Sequence, residues 1–284
     1  MKTRFGPARV PSRESPETAI ELLLERGYSA CEIDFEGGFW MKPEWEWAAR
    51  FGELAKKNKI ALSIHAPIAA VLGHLPRDEA KRKRAFGMID HSAGVATAVG
   101  ADLLVVHPGY LLGREREAAL KSVAGDLAAL RKRLEPKGRT VAFGVEVMGR
   151  VRELGTPQDV FWLAGRFDWV RPVLDFAHMH AVTDGGFTRP DVFAGVLEAA
   201  DDVMEPGAPF HVHFSDIAFA NPTRRSTSRT ARARCAQSPS APRCAASSGP
   251  RRSFPSRRTR SRTRRSRRSS RRPESGVRVR WESR

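Results

Sequence analysis

Residues 103–109 read L-L-V-V-H-P-G, four apolar residues that stop on a histidine and a Pro-Gly turn. A run this short, closed by turn residues and carrying β-branched side chains, fits a buried strand better than a helix. Similar runs lie on both sides of it. Upstream, Ala61–His65 and Ala30–Phe35 read as strands, backed by helices over Asp78 to about Val99 and over Pro43–Lys57. Before these, Arg4–Val10 reads as the first strand, followed by a helix near Pro16–Arg26. Downstream, a helix over about Glu115–Leu134 leads to strands Val141–Val147, Val173–Phe176 and Phe210–Phe214. Pro157 opens one intervening helix, at a position where proline is tolerated, and Pro190–Ala199 forms the other. Strands alternating with helices in this way mark a parallel βαβ array. Seven units of about 30 residues predict an α/β protein of the (β/α)₈ TIM barrel class, incomplete by its last strand.

The polar residues gather at one place in each unit. His65, His107 and Glu146 fall at the ends of three successive strands, Asp175 and His178 at the next, and His213 with Asp216 at the last. In a (β/α)₈ barrel the carboxyl ends of the strands converge on one mouth, where active sites lie. Five successive units each delivering His, Asp or Glu to that rim is not what core packing alone produces. Imidazoles mixed with carboxylates suit Zn²⁺, Mn²⁺ or Fe²⁺, whereas Mg²⁺ and Ca²⁺ favour all-oxygen shells. Four histidines and two carboxylates exceed what one tetrahedral zinc takes. Glu146, placed among the others, is positioned to bridge two ions and to orient a nucleophile for attack on phosphorus. Strand alternation turns His211 to the same side as His213, as a group that supports the ligands. His74, His91 and His180 read as solvated or structural, and Lys81–Arg84 as a solvated helix face.

The net charge of +17 divides unevenly. From Pro222 onward the chain has 21 Arg, no Lys and two acids, Glu274 and Glu282, leaving 28 basic and 30 acidic residues before it. The globular part is therefore nearly neutral. Three cysteines without paired spacing give neither a disulfide framework nor a zinc ribbon. With no secretory leader and no long apolar run, the sequence predicts a cytoplasmic protein without a membrane partner.

These motifs resemble the endonuclease IV family (AP endonuclease family 2, among the xylose isomerase-like barrels). The matching pieces are R-F-G-P-A at 4–8, E-I-D-F at 32–35, S-I-H-A-P at 63–67 and V-V-H-P-G at 105–109. They continue with G-V-E-V at 144–147, L-D-F-A-H-M-H-A at 174–181 and H-V-H-F-S-D at 211–216. The resemblance implies a zinc site of up to three ions, with Mn²⁺ as a substitute, that cuts double-stranded DNA 5′ to abasic sites. On its mapping His65, His107 and Glu146 hold one ion, Glu146, Asp175 and His213 a second, and His178 contributes to a third. The family's loop after the third strand carries bulky residues that enter the base stack. Here that loop is Ile68-Ala69-Ala70, and Phe39 and Trp40 after the second strand offer further rings for DNA contact. A later His-containing ligand loop and a strand-eight glutamate are missing from this sequence.

Residues 222–284 form a second region, rich in Arg and Ser and without Leu, Ile, Lys, Asp, Tyr or His. Such a composition predicts disorder, because it cannot bury enough apolar surface to offset chain entropy. It also reads as out-of-frame translation. Taking the last base of each codon with the first two of the next, Ser226–Ala233 can encode H-L-P-Y-G-E-G, and Arg252–Arg260 can encode V-I-S-E-S-P-D-E. The catalytic domain is thus expected over residues 1–221, with an open barrel of reduced stability and activity. Two other functions fit parts of the sequence. A sugar isomerase or epimerase needs fewer metals and no bulky loop, and the basic tail alone would make a nucleic-acid binder.

Overall fold

The computed structural model describes residues 3–35 and 45–215. The predicted tail, the boundary near residue 221, Asp216, Phe39 and Trp40 lie outside them. The short apolar runs become six strands: β1 (Ala30–Asp34), β2 (Ala61–His65), β3 (Leu103–Val106), β4 (Ala142–Glu146), β5 (Val170–Asp175) and β6 (His211–His213). Around them lie α1 (Pro16–Glu25), α2 (Trp45–Lys57), α3 (Glu79–Val99), α4 (Arg116–Leu134), α5 (Pro157–Ala164), α6 (Phe176–Val182) and α7 (Pro190–Asp201). All strands are parallel and pair in chain order, so the sheet is a half-barrel with helices, an incomplete TIM barrel. No helix among the described residues is long and apolar enough to cross a membrane.

Local sequence sets the helix ends. Ser15 caps α1 by accepting from the Thr18 N–H, with Pro16 pre-set for the first turn. Thr156 and Asp159 cap α5 reciprocally, satisfying two N–H groups that the helix itself leaves without partners. Alternation along the strands then separates two packing faces. Ile33, Ile64, Leu104, Val106, Phe143, Val145 and Leu174 join the main core together with helix residues such as Leu23, Phe51, Ile89 and Leu127. Leu103, Val105 and Val173 face the other way and form a small separate cluster. Glu32 pairs in register with Ser63, and Ser63 with Leu103, so the charged Glu32 belongs to that inner face.

Arg4–Val10 corrects the sequence reading. It forms no strand, but lies along β1, where the Phe5 carbonyl accepts from the Ser29 and Ala30 N–H groups and the Pro7 carbonyl from Glu32 N–H. Pro7 has no N–H to return, which prevents a regular ladder. Gly6 permits the approach, since a Cβ there would collide with the Ala30 carbonyl. The described sheet therefore has six strands where seven were expected. A short helix, α6, follows directly on β5 and was not foreseen. β6 is the last described strand, and Val212 on its outer face is 40% exposed.

Close packing also joins the helices. A Cβ at Gly52 of α2 would press into the backbone of Val99 at the end of α3. Gly52→Ala is therefore expected to cost about 2 kcal/mol through overpacking, read as a lower urea midpoint. An unchanged midpoint would mean that α2 and α3 do not need this approach.

Candidate metal centre

Glu146 ends β4 and is 2% exposed, which would be costly for a carboxylate without partners. Its two oxygens face different groups. Oε2 is 3.1 Å from His65 Nε2 and 2.9 Å from His107 Nε2. Oε1 is 3.0 Å from His213 Nδ1 and 3.6 Å from His178 Nδ1. His65 ends β2 and His107 directly follows β3, so the parallel register brings these side chains to one rim. The carbonyl of Ala66 lies 2.7 Å from His65 Nδ1 and fixes the ring, leaving Nε2 toward Glu146.

Asp175 ends β5 and caps α6, its Oδ1 accepting from the His178 N–H at 2.8 Å. Oδ2 is 3.4 Å from His178 Nδ1 and 4.0 Å from His213 Nδ1. His178 thus sits in the first turn of α6, not on the strand end where the sequence reading put it. The ligand atoms of Glu146, Asp175 and His178 lie within 4.8 Å of one another, and so do those of His65, His107 and Glu146. His213 Nδ1, 3.0 Å from Glu146 and 4.0 Å from Asp175, also stands beside the two residues with which the family mapping groups it.

The electrostatics follow from burial. Desolvation works to raise the Glu146 carboxyl, but the His213 charge and contacts from His107, His213 and His65 outweigh it and hold it well below the carboxylate range. Desolvation opposes charge on His65, yet the Glu146 contact pushes it up to about 9. Asp175 is raised by its burial, with Glu146 adding to the effect. In this arrangement the His65 and His213 rings, both raised by the neighbouring carboxylates, offset the buried negative charge. A divalent cation can take over that role, and the donor set fits one. Each triad combines imidazole and carboxylate, as Zn²⁺ and Mn²⁺ accept, and the two triads share Glu146.

Glu32 is the residue that sequence reasoning missed. Its Oε2 is 2.9 Å from His211 Nε2 and accepts from Ser63 Oγ at 2.9 Å, and its Oε1 is 3.0 Å from His213 Nε2. The available signal was a glutamate between Cys31 and Ile33 inside an apolar strand, since a buried carboxylate demands partners. Ile68 lies in the loop after β2 and is 52% exposed. His91 packs edge-on against the Phe35 and Trp45 rings, and His180 Nδ1 is 3.2 Å from the Phe187 carbonyl. On the α3 face, Arg82 binds Asp126 at 2.6 Å.

Comparison with known proteins adds four findings. A family model described as xylose isomerase-like TIM barrel matches residues 20–236. An uncharacterized protein of Methanocaldococcus jannaschii is 28% identical over 218 residues, covering 76% of this chain and 77% of the relative. Among solved structures, a D-tagatose 3-epimerase-like protein superposes with a TM-score of 0.58 at 23% identity, covering 78% of this chain and 79% of that one. Endonuclease IV from Thermus thermophilus superposes with a TM-score of 0.57 at 20% identity, covering 71% and 72%. At these identities the structural likenesses show the fold.

Proposed function

The chain belongs to the xylose isomerase-like TIM barrel family, and from that premise we propose a metal-dependent endonuclease that hydrolyses DNA 5′ to abasic sites. One observation carries the reading. Glu146 presents each of its oxygens to a different set of ligands, His65 with His107 on one and His178 with His213 on the other. Two divalent ions, when bound, would supply charge stabilisation at both the attacking and the leaving oxygen of a phosphodiester.

The protein's own part is to hold and orient. His65, His107 and Glu146 would form one ligand set, and Glu146, Asp175 and His178 another. The Ala66 carbonyl fixes the His65 ring, and Asp175 ties the His178 backbone so that its ring stays at the rim. Ile68, 52% exposed after β2, offers an apolar contact to the bases beside a lesion. Three histidines among the strand-end groups favour this chemistry over sugar isomerisation, in which glutamates more often stand at those places. Activity is expected to be low, because the sequence after residue 221 reads as out of frame and holds no further histidine.

A sugar epimerase is the second reading, favoured by the small side chains of Ala69 and Ala70 and by the likeness to the epimerase-like structure. The full chain, loaded with Zn²⁺, is to be incubated with a duplex carrying one abasic-site analogue. A single nick 5′ to the analogue, absent from the undamaged duplex and from His107→Ala, is the expected result. Absence of nicking, with epimerisation of a ketose in the presence of Mn²⁺, would replace the first reading by the second.

A further inference from the structure

The inner face of the sheet carries a third group of ligand atoms outside the two that share Glu146. Glu32 on β1 meets His211 and His213 on β6, and their ligand atoms lie within 4.8 Å of one another. One detail of this group is not that of an ordinary hydrogen-bonded trio. His213 Nε2 is buried and 3.0 Å from Glu32 Oε1, yet it completes no well-formed hydrogen bond among the described residues. A buried ring nitrogen beside a carboxylate oxygen, with a second imidazole on the same carboxylate, is a donor set that a cation can draw together. Ligands on a tetrahedral ion at about 2.0–2.1 Å stand ~3.3 Å apart, close to the separations seen here.

We propose that Glu32, His211 and His213 form a separate divalent-cation site whose ion ties β6 to β1, the two outermost strands of the described sheet. The chemistry of the donors selects the ion. Two imidazoles and one carboxylate are the protein ligands of many zinc sites and suit Zn²⁺ over Mg²⁺ or Ca²⁺. Ser63 Oγ, donating to Glu32 Oε2, fixes the carboxylate in the way that hydrogen-bonded neighbours orient metal ligands. His213 uses Nε2 here and Nδ1 toward Glu146, so the same ring lies between this site and the rim.

The placement gives the site a structural role. β1 and β6 are the two outermost strands of the described sheet, and they do not pair with each other. An ion held by both would join two strands that share no ladder among the described residues, and would couple metal binding to folding. The inference is independent of whether the rim hydrolyses DNA.

The test uses the full chain, with Zn²⁺ alone as the probe. Bound zinc is counted after dialysis, and the melting temperature is followed as zinc is added. His211→Ala is expected to bind one equivalent fewer than the unmodified protein. It is also expected to lose part of the zinc-induced rise in melting temperature, about 5–10 °C at a hundredfold excess over Kd. Glu32→Gln should do the same. Should it fail to fold, His211→Ala carries the test, because His211 is the more exposed partner. A His211→Ala protein that keeps every zinc equivalent would overturn the proposal and reduce the trio to a buried hydrogen-bond network.

Discussion

Glu146→Gln is expected to remove two zinc equivalents at once and to lower kcat/KM by about 10³-fold or more. The reason is the sharing of one carboxylate between two ligand sets, His65 with His107 and Asp175 with His178. Loss of a group that only orients a ligand typically costs 10–100-fold, and a shared ligand costs more than that. A contrast variant makes the prediction specific. His178→Ala touches only the Asp175 side, so it should lose one equivalent and keep the other. If Glu146→Gln and His178→Ala lost the same number of ions, Glu146 would serve a single site and the account of the rim would be wrong. Metal analysis on dialysed protein, paired with a nicking assay on an abasic duplex, reads both quantities.

Asp90→Asn is expected to lower stability at neutral pH by about 2–3 kcal/mol without touching the rim. Asp90 lies on α3, is 6% exposed, and binds three cations that follow or end α4. Arg133 Nε reaches it at 2.9 Å and Lys137 Nζ at 2.5 Å, while Arg139 binds both its carboxylate and its carbonyl. Removing the buried partner of such a group typically costs 3–5 kcal/mol, and the smaller figure allows for cations that stay partly in water. Burial works to raise the Asp90 carboxyl, but hydrogen bonds from Lys137 and Arg133 and the surrounding charges hold it below its ordinary value. A carboxylate with a lowered folded value stabilises the protein above its unfolded value of about 3.9, and that contribution is lost as pH falls through the folded one. The difference between the two proteins should therefore be full at pH 7 and shrink below about pH 4. A urea-unfolding difference that stayed constant across this range would exclude the ionic account.

Much of this architecture is legible in the sequence because period and punctuation agree. L-L-V-V-H-P-G and L-D-F-A-H each pair an apolar run with a turn or cap, and each delivers its polar residue to a strand end. That is why His65, His107, Glu146, Asp175 and His213 could be placed on one rim from the chain alone. Arg4–Val10 misled because apolar content does not reveal which N–H groups are missing, and Pro7 removes one that a ladder needs. His178 was placed on a strand because α6 starts with no linker after Asp175, so no turn signal separates the two elements. Glu32 escaped notice because it sits in mid-strand, two residues before the end of β1, where strand-end logic does not look. Its partners His211 and His213 are about 180 residues away in the chain, and only the curvature of the sheet brings them to it.

The most direct test of the central claim is diffraction from zinc-loaded crystals at energies on either side of the zinc absorption edge. The account predicts anomalous peaks beside both oxygens of Glu146, one among His65 and His107 and the other among Asp175 and His178. Crystals of the zinc-loaded protein with no anomalous density at the rim, and with His65 and His213 still hydrogen-bonded to Glu146, would contradict it.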